Sequence, residues 1–242
     1  MSKISFYPFN DKTTEFAPKP YPASKGVPEW YKAQPGTISD REEEAIKKGA
    51  STSTIKRCMP IFDMMTAGYI IPLPMDIFID ATNPEKIEWS VPLGVKQFGN
   101  DMISHHDRLQ YSHYPVDKQS YHKDLFRIMP FWAVKTEPGY SCLFINPIHQ
   151  DNLPFWTFAG LIDTDNFITD GHISMLIKKD FKGILKQGTP FVQVIPIKRE
   201  SFNMEIINAK ISEEEIKKQR LSLRSTFNFG YKDKMRARKE YK

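Results

Sequence analysis

The chain has 242 residues, 40% of them hydrophobic, and its 17 Phe, 10 Tyr and 4 Trp suffice for a buried core without disulfide or metal staples. Eighteen Pro against 12 Gly argues against an all-helical fold, because proline removes a backbone donor and fixes φ. The net charge of +5 belongs to the end of the chain: Ser212 to Lys242 hold ten Lys and Arg against five Asp and Glu, and the preceding 211 residues balance.

Residues 1–36 read as an extended arm. Pro8, Pro18, Pro20, Pro22, Pro28 and Pro35 forbid a helix, while Phe6, Tyr7, Phe9, Phe16, Tyr21, Trp30 and Tyr31 supply anchors for wrapping over a surface, its own core or a neighbouring subunit. Ser39 with Glu42 predicts a capped helix from Arg41 to Lys48, ended by Gly49. From Ile55 to Ile79 the apolar runs predict strands, and alternation predicts another over Lys86 to Val91. Residues 94–124 are polar and His-rich and read as a long loop. Phe126 to Val134 predicts a strand, β structure continues to about Ile207, and Ser212 with Glu215 predicts a helix over Glu213 to Leu223. The organisation expected is an arm with a short helix (1–50), a β domain (51–211) and a C-terminal helix with a basic tail (212–242).

Cys58 and Cys142 sit in apolar runs and read as two buried thiols. No signal peptide opens the chain and no apolar run approaches spanning length. The expectation is a protein that is not secreted, has no membrane partner and works in a reducing compartment.

Three glycine turns punctuate the second half: Pro138-Gly139-Tyr140-Ser141, Gly160-Leu161-Ile162-Asp163-Thr164-Asp165, and Gly188-Thr189-Pro190-Phe191-Val192-Gln193. Their order and spacing resemble the trimeric dUTPases and dCTP deaminases. That resemblance implies a mainly β, β-clip-like antiparallel sandwich or barrel built as a homotrimer or higher oligomer. It implies Asp163 as the base that activates water, Tyr140, Phe167 and Gln193 as pocket residues, and Arg224 with Phe229 as a closing arm. The chain departs from the pattern in three places. Asn166 shifts Phe167 out of register by one residue, which in a hairpin turns it to the other face. Asn146-Pro147-Ile148 stands where an Arg-Ser pair should bind phosphate, so Arg57 or Arg127 would have to supply the cation. Ser225 to Asn228 lack the glycines of a phosphate-wrapping loop.

Two further clusters carry chemistry. His105 and Asp107 form His-x-Asp, two ligands of a facial iron triad that His149 or His172 could complete, with Lys182 as a cation for an oxoacid; a hydrated loop is the competing reading. Lys232, Lys234, Arg236, Arg238, Lys239 and Lys242, interleaved with Tyr231 and Tyr241, could contact nucleic acid; a solvated or subunit-bridging tail is the alternative.

Over most of its length, through Cys58-Met59-Pro60, Gly68 to Pro74, Pro138 to Ser141, Gly160 to Asp165 and Gln193 to Glu200, the chain also resembles an uncharacterised protein family encoded by tailed phages of marine bacteria. This implies a phage context, in host cytoplasm or virion, and brings no activity with it. The expected function is a non-catalytic β-clip protein acting as a virion, assembly or binding component, with other virion proteins as partners. The alternative is a dUTPase-like nucleoside triphosphate pyrophosphatase with an altered site; Mg²⁺ enters only with that alternative, and no other cofactor is expected.

Overall fold

Tyr69-Ile70-Ile71-Pro72 shows why this chain builds sheets: β-branched residues stand beside prolines that can only occupy strand ends and edges. The computed structural model describes residues 2–38, 42–48, 52–92, 102–168, 171–206, 211–224 and 231–242. Among these, 14 strands form four antiparallel sheets, helices are few, and no sheet closes into a barrel. The strands are β1 (Ile4–Pro8), β2 (Tyr21–Pro22), β3 (Tyr69–Pro72), β4 (Ile77–Asp80), β5 (Glu88–Ser90), β6 (Ile103–His105), β7 (Tyr121–Ile128), β8 (Trp132–Thr136), β9 (Tyr140–Ile145), β10 (Phe155–Thr157), β11 (Gly160–Ile162), β12 (Ile173–Lys178), β13 (Lys182–Leu185) and β14 (Pro190–Lys198). They are ordered β11-β9-β14-β3-β2, β10-β12-β7-β6, β13-β4-β5 and β1-β8.

The chain divides into two compact units, Met1–Gly26 with Gly68–Arg199, and Val27–Ala67 with Glu200–Lys242. Every strand lies in the first unit, where all four sheets share one core that includes Ile71, Ile79, Phe126, Val134, Phe144, Met175 and Phe191. Bulges shape it. Pro190 pairs with Pro72 and Val192 with Ile71, so Phe191 is the extra residue and both Phe191 and Val192 enter the core. On β7, three residues separate Tyr121 from Leu125 while one separates Lys178 from Leu176, and His122 and Asp124 are both buried there.

The N-terminal arm packs on its own sheet. β1 pairs along β8 from Ile4↔Thr136 to Pro8↔Trp132. Phe6 meets Tyr69 at 5.5 Å, and Phe9 and Phe16 meet the fully buried Phe131 at 6.1 and 5.6 Å. Trp132 Nε1 donates to the Pro18 carbonyl at 3.0 Å. The prolines did not abolish helix: one turn, α1 (Thr13–Phe16), fits between them. Two other expectations are corrected in this unit. The strand over Phe126 to Val134 is two strands, broken at Met129–Phe131 where Phe131 adopts φ 63°. In the polar stretch 94–124, residues 94–101 lie outside the described residues, but 102–124 are ordered by β6, a 3₁₀ turn at Arg108–Tyr111 and the start of β7. Tyr111 Oη receives the Leu125 N–H and donates to the Lys123 carbonyl, each at 3.3 Å, and Tyr114 packs on Phe158 at 5.0 Å.

The second unit is helical. It holds α2 (Glu29–Ala33), α3 (Glu42–Lys47), α4 (Met59–Met65) and α5 (Ile211–Arg224). α2 starts behind Pro28 and again shows helix where the prolines argued against it. α4 replaces the first predicted strand: Pro60 suits a first helical turn, where its missing N–H costs nothing, and the Met residues around it favour helix. Ser39 and Gly49, the predicted ends of α3, lie outside the described residues. Tyr31 is buried, stacks on Phe62 at 6.0 Å and donates its hydroxyl to the Lys56 carbonyl at 2.8 Å. The basic tail is tied down here: Arg236 Nε sits 2.9 and 3.0 Å from the two carboxylate oxygens of Asp63, and Lys239 reaches the same group at 3.4 Å. This holds the Asp63 carboxyl below its ordinary range, chiefly through the Arg236 hydrogen bond. With Lys242 3.0 Å from Glu240, three of the tail's cations therefore already have a carboxylate partner.

Candidate functional site

The three glycine-turn motifs fall on neighbouring strands, β11, β9 and β14 of the five-stranded sheet, with Ile162 opposite Cys142 and Cys142 opposite Pro196. Gly139, at φ 86°, turns the chain into β9 and donates its N–H to Asp165 Oδ2 at 2.8 Å. Its carbonyl receives the Arg199 N–H at 2.8 Å, which places the Arg199 side chain beside the turn after β11. The guanidinium takes Asp165 with both terminal nitrogens, one at 2.8 Å from Oδ1 and the other on Oδ2. It also donates to the Tyr140 carbonyl at 2.9 Å and to Ser141 Oγ at 3.2 Å. Bidentate contact with a side chain only 6% exposed holds the Asp165 carboxyl far below the usual carboxylate range, the Arg199 hydrogen bond first and the Gly139 N–H after it.

Asp163 differs. Ser141 Oγ donates to its Oδ1 at 2.6 Å and Arg199 lies 3.4 Å away, but 58% of its side chain is exposed. Thr164, between the two aspartates, points the other way and is buried, with its hydroxyl 2.8 Å from Thr136 Oγ1 and 3.3 Å from Cys142 Sγ. Burial pushes the Cys142 thiol up, as an inert core cysteine requires; Cys58 is half-buried, and both are free. The Asp163 carbonyl closes the turn by accepting the Asn166 and Phe167 N–H groups at 3.0 and 2.9 Å.

Of the other predicted residues in this unit, Gln193 and Arg127 have partners away from Asp163. Gln193 is 1% exposed and uses Oε1 to receive the Ile148 N–H at 3.0 Å, so it binds the loop after β9. It stands four residues along β14 from Ile197, the partner of Ser141, or about 13 Å at a strand's rise. Tyr140 places its hydroxyl 2.8 Å from Ser2 Oγ, and Phe167 is 59% exposed. Arg127 donates to Ser104 Oγ at 2.5 Å in another sheet. Arg57 belongs to the second unit. Arg224 is the last residue of α5, its side chain outside what is described, and Phe229 lies outside the described residues. The cation that meets Asp163 is Arg199, which sequence reasoning passed over. Its signal was an Arg directly after a strand that neighbours the Asp-x-Asp turn, legible only once β9, β11 and β14 are known to be adjacent.

The histidines do not assemble a facial triad. His105 pairs across β7 to the level of Met175, whereas His172 lies three residues away along β12 and two strands over, roughly 10 Å in each direction. Among the described residues no three His, Cys, Asp or Glu side chains come together to hold a metal. His105 and Asp107 instead line a cleft of about 280 Å³ with Trp89, Arg108, Asp124 and Phe126. Arg108 pairs with Asp124 at 2.9 Å, Asp107 caps the Leu109 N–H at 2.8 Å, and His106 bridges Gln110 and Ser174 at 3.0 Å each.

No protein-family model, curated protein or solved structure matches the chain. No helix among the described residues is long and apolar enough to cross a membrane.

Proposed function

We propose that this chain is a non-catalytic, β-clip-type protein of phage context that acts as an assembly or virion component. The observation that carries the reading is the Asp165–Arg199 clasp. A hydrolase of the dUTPase type needs a free cation for phosphate and an aspartate facing a shared pocket with the Gln. Here Arg199 is spent on Asp165, the Tyr140 carbonyl and Ser141, and Gln193 is spent on the Ile148 N–H. The motifs thus keep their structural half, which joins three neighbouring strands, and lose their chemical half. The adjacency of β11, β9 and β14 supports the β-clip resemblance, and that resemblance with the phage-family one supplies the context. A symmetric homo-oligomer, trimer or higher, follows from the same reading, with other virion proteins as further partners.

The alternative, a nucleoside triphosphate pyrophosphatase using Mg²⁺, rests on the exposure of Asp163. Thermal shift with dUTP, dCTP and dTTP, with and without Mg²⁺, followed by pyrophosphate release, separates the two. Binding to the folded state raises the melting temperature by mass action. The expected result is no shift and no release. A nucleotide-specific shift that disappears in Asp163→Asn would overturn the proposal.

A further inference from the structure

The cleft between β5 and the β6–β7 pair has one aromatic wall and a set of polar groups that the chain leaves unspent. Trp89 on β5 is 36% exposed, and the rings of Phe126 and His105 meet it at 78° and 74°, with centroids at 5.3 and 6.0 Å, so neither lies flat on the indole. Among the described residues the Trp89 Nε1–H has no acceptor and the exposed His105 ring makes no hydrogen bond. Asp124 is only 8% exposed, yet one of its oxygens is open. Its Oδ1 receives Arg108 Nε at 2.9 Å, whereas Oδ2 stands 3.9 Å from His122 Nδ1, which is itself taken up in accepting the Asp124 N–H at 3.0 Å. Asp107 likewise commits Oδ1 to the Leu109 N–H and leaves Oδ2.

The cations of the lining are already committed. Arg108 holds Asp124 and lies 3.6 Å from Glu85, Lys123 holds Glu85 at 2.6 Å, and Lys86 holds Glu88 at 2.6 Å. An anion would therefore meet Glu85, Asp107 and Asp124 with no uncommitted cation to receive it. An organic cation on the indole face would meet Arg108 and Lys86. A wholly apolar ligand would strand Asp124 Oδ2 and the His105 nitrogens away from water, which is costly. The ligand that escapes all three penalties is neutral, apolar on one face and rich in hydroxyls at its edge.

We propose that this cleft binds a neutral saccharide, with the C–H face of a sugar ring laid on Trp89 and its hydroxyls donating to Asp124 and Asp107 and pairing with His105. Each hydroxyl donates one hydrogen bond and can accept two, and its hydrogen rotates to suit. Neighbouring hydroxyls can thus both donate to the two carboxylates while still accepting from Trp89 Nε1 or His105. A nucleobase, the competing neutral ring, has donors and acceptors fixed along its edge and cannot turn an acceptor toward a carboxylate without repulsion. The volume, about 280 Å³, stands at the small end of ligand pockets, which begin near ~300 Å³, and suits a short saccharide unit. The inference goes beyond the assembly reading and does not depend on it: the cleft lies within the β unit and shares no residue with the Asp165–Arg199 clasp.

The test is saturation-transfer NMR on the full chain with glucose, galactose, mannose, N-acetylglucosamine and their disaccharides up to tens of millimolar, beside adenosine, glucuronate and arginine. At least one neutral saccharide should bind, and more tightly than all three comparison ligands. Trp89→Ala should weaken that binding at least about tenfold, as removal of an aromatic anchor does. Because Trp89 also packs on Phe126, His105→Ala serves as the second variant; its ring is exposed, so it should melt like the wild type and still bind several-fold more weakly. Three outcomes would each overturn the proposal: no neutral saccharide bound, a comparison ligand bound more tightly than every saccharide, or binding unchanged in a folded His105→Ala chain. Failure of the non-catalytic reading looks different, since pyrophosphate release would leave saccharide binding where it is.

Discussion

Two extended segments, one opening the β unit and one following Arg199 where that unit ends, carry apolar residues at alternate positions and meet opposite fates. Ile4–Pro8 lies along β8, with Phe6 against Tyr69 and the following Phe9 and Phe16 around Phe131. Ser201–Ile206 carries Phe202, Met204 and Ile206 into solvent. The teeth are alike, so composition does not decide the outcome. What decides it is whether the chain holds a free edge of matching length, and Trp132–Thr136 provides one for the first segment.

The largest effect should come from the anchor of the docked segment. Phe131→Ala removes a fully buried ring that holds both Phe9 and Phe16, and should cost about 3–5 kcal/mol in chemical denaturation. Limited proteolysis should then open the chain near residues 9–17. A cost below about 1 kcal/mol would mean that the arm is held elsewhere and that the two segments differ less than they look.

Gly68→Ala comes next. Gly68 has φ 69°, and a Cβ there would lie 2.0 Å from the Val194 carbonyl oxygen, while its own carbonyl receives the Ala23 N–H of the arm at 2.9 Å. Strained backbone and a clash with backbone together should cost at least about 2 kcal/mol. Equilibrium unfolding in urea would measure it, and a neutral result would contradict the close approach of β3 and β14.

A smaller effect tests the clasp that holds the chain where the second segment leaves the sheet. The Asp165 carboxyl sits below its unfolded value of about 4, so its stabilisation is present above that pH and is lost as pH falls toward the folded value. Melting temperature should hold between about pH 7 and 5 and drop below about pH 4. Asp80, held down to about 2 by Lys182 and Thr82, and Asp63 add to the same acid slope. The informative quantity is therefore the difference between the wild type and Asp165→Asn, which should be largest near neutrality and shrink in acid. A constant difference at all pH values would remove the ionised clasp from the account.

How much of this was readable in advance varies with the distance over which each residue finds its partner. The arm was legible because Phe6, Phe9 and Phe16 between prolines announce an extended, anchored segment; which surface it meets required β8. Gln193 read as a pocket residue, and it is buried, with its amide oxygen on the Ile148 N–H. Ile55–Ile61 read as strand because so short an apolar run carries no decisive period, whereas Met59–Met65 is helix with Pro60 in its first turn. The 102–124 stretch looked structureless because Tyr111 and Tyr114 find their partners on β7 and beyond β10. At the candidate site the Asp-x-Asp turn was visible, but Arg199 stands 34 residues from Asp165, joined to it through the pairing of three strands. A motif shows its residue types; whether they are free for chemistry is decided by such long-range partners.

The smallest expected effect is the most discriminating. Phe202→Ala, measured at concentrations dilute enough for single chains, should change stability by less than about 0.5 kcal/mol, because a side chain 86% exposed has little burial to lose. The same substitution at Phe6, which packs on Tyr69 and the core, should cost about 2 kcal/mol. If the two costs were equal in dilute solution, Phe202 would be covered within its own chain and the contrast between the segments would collapse.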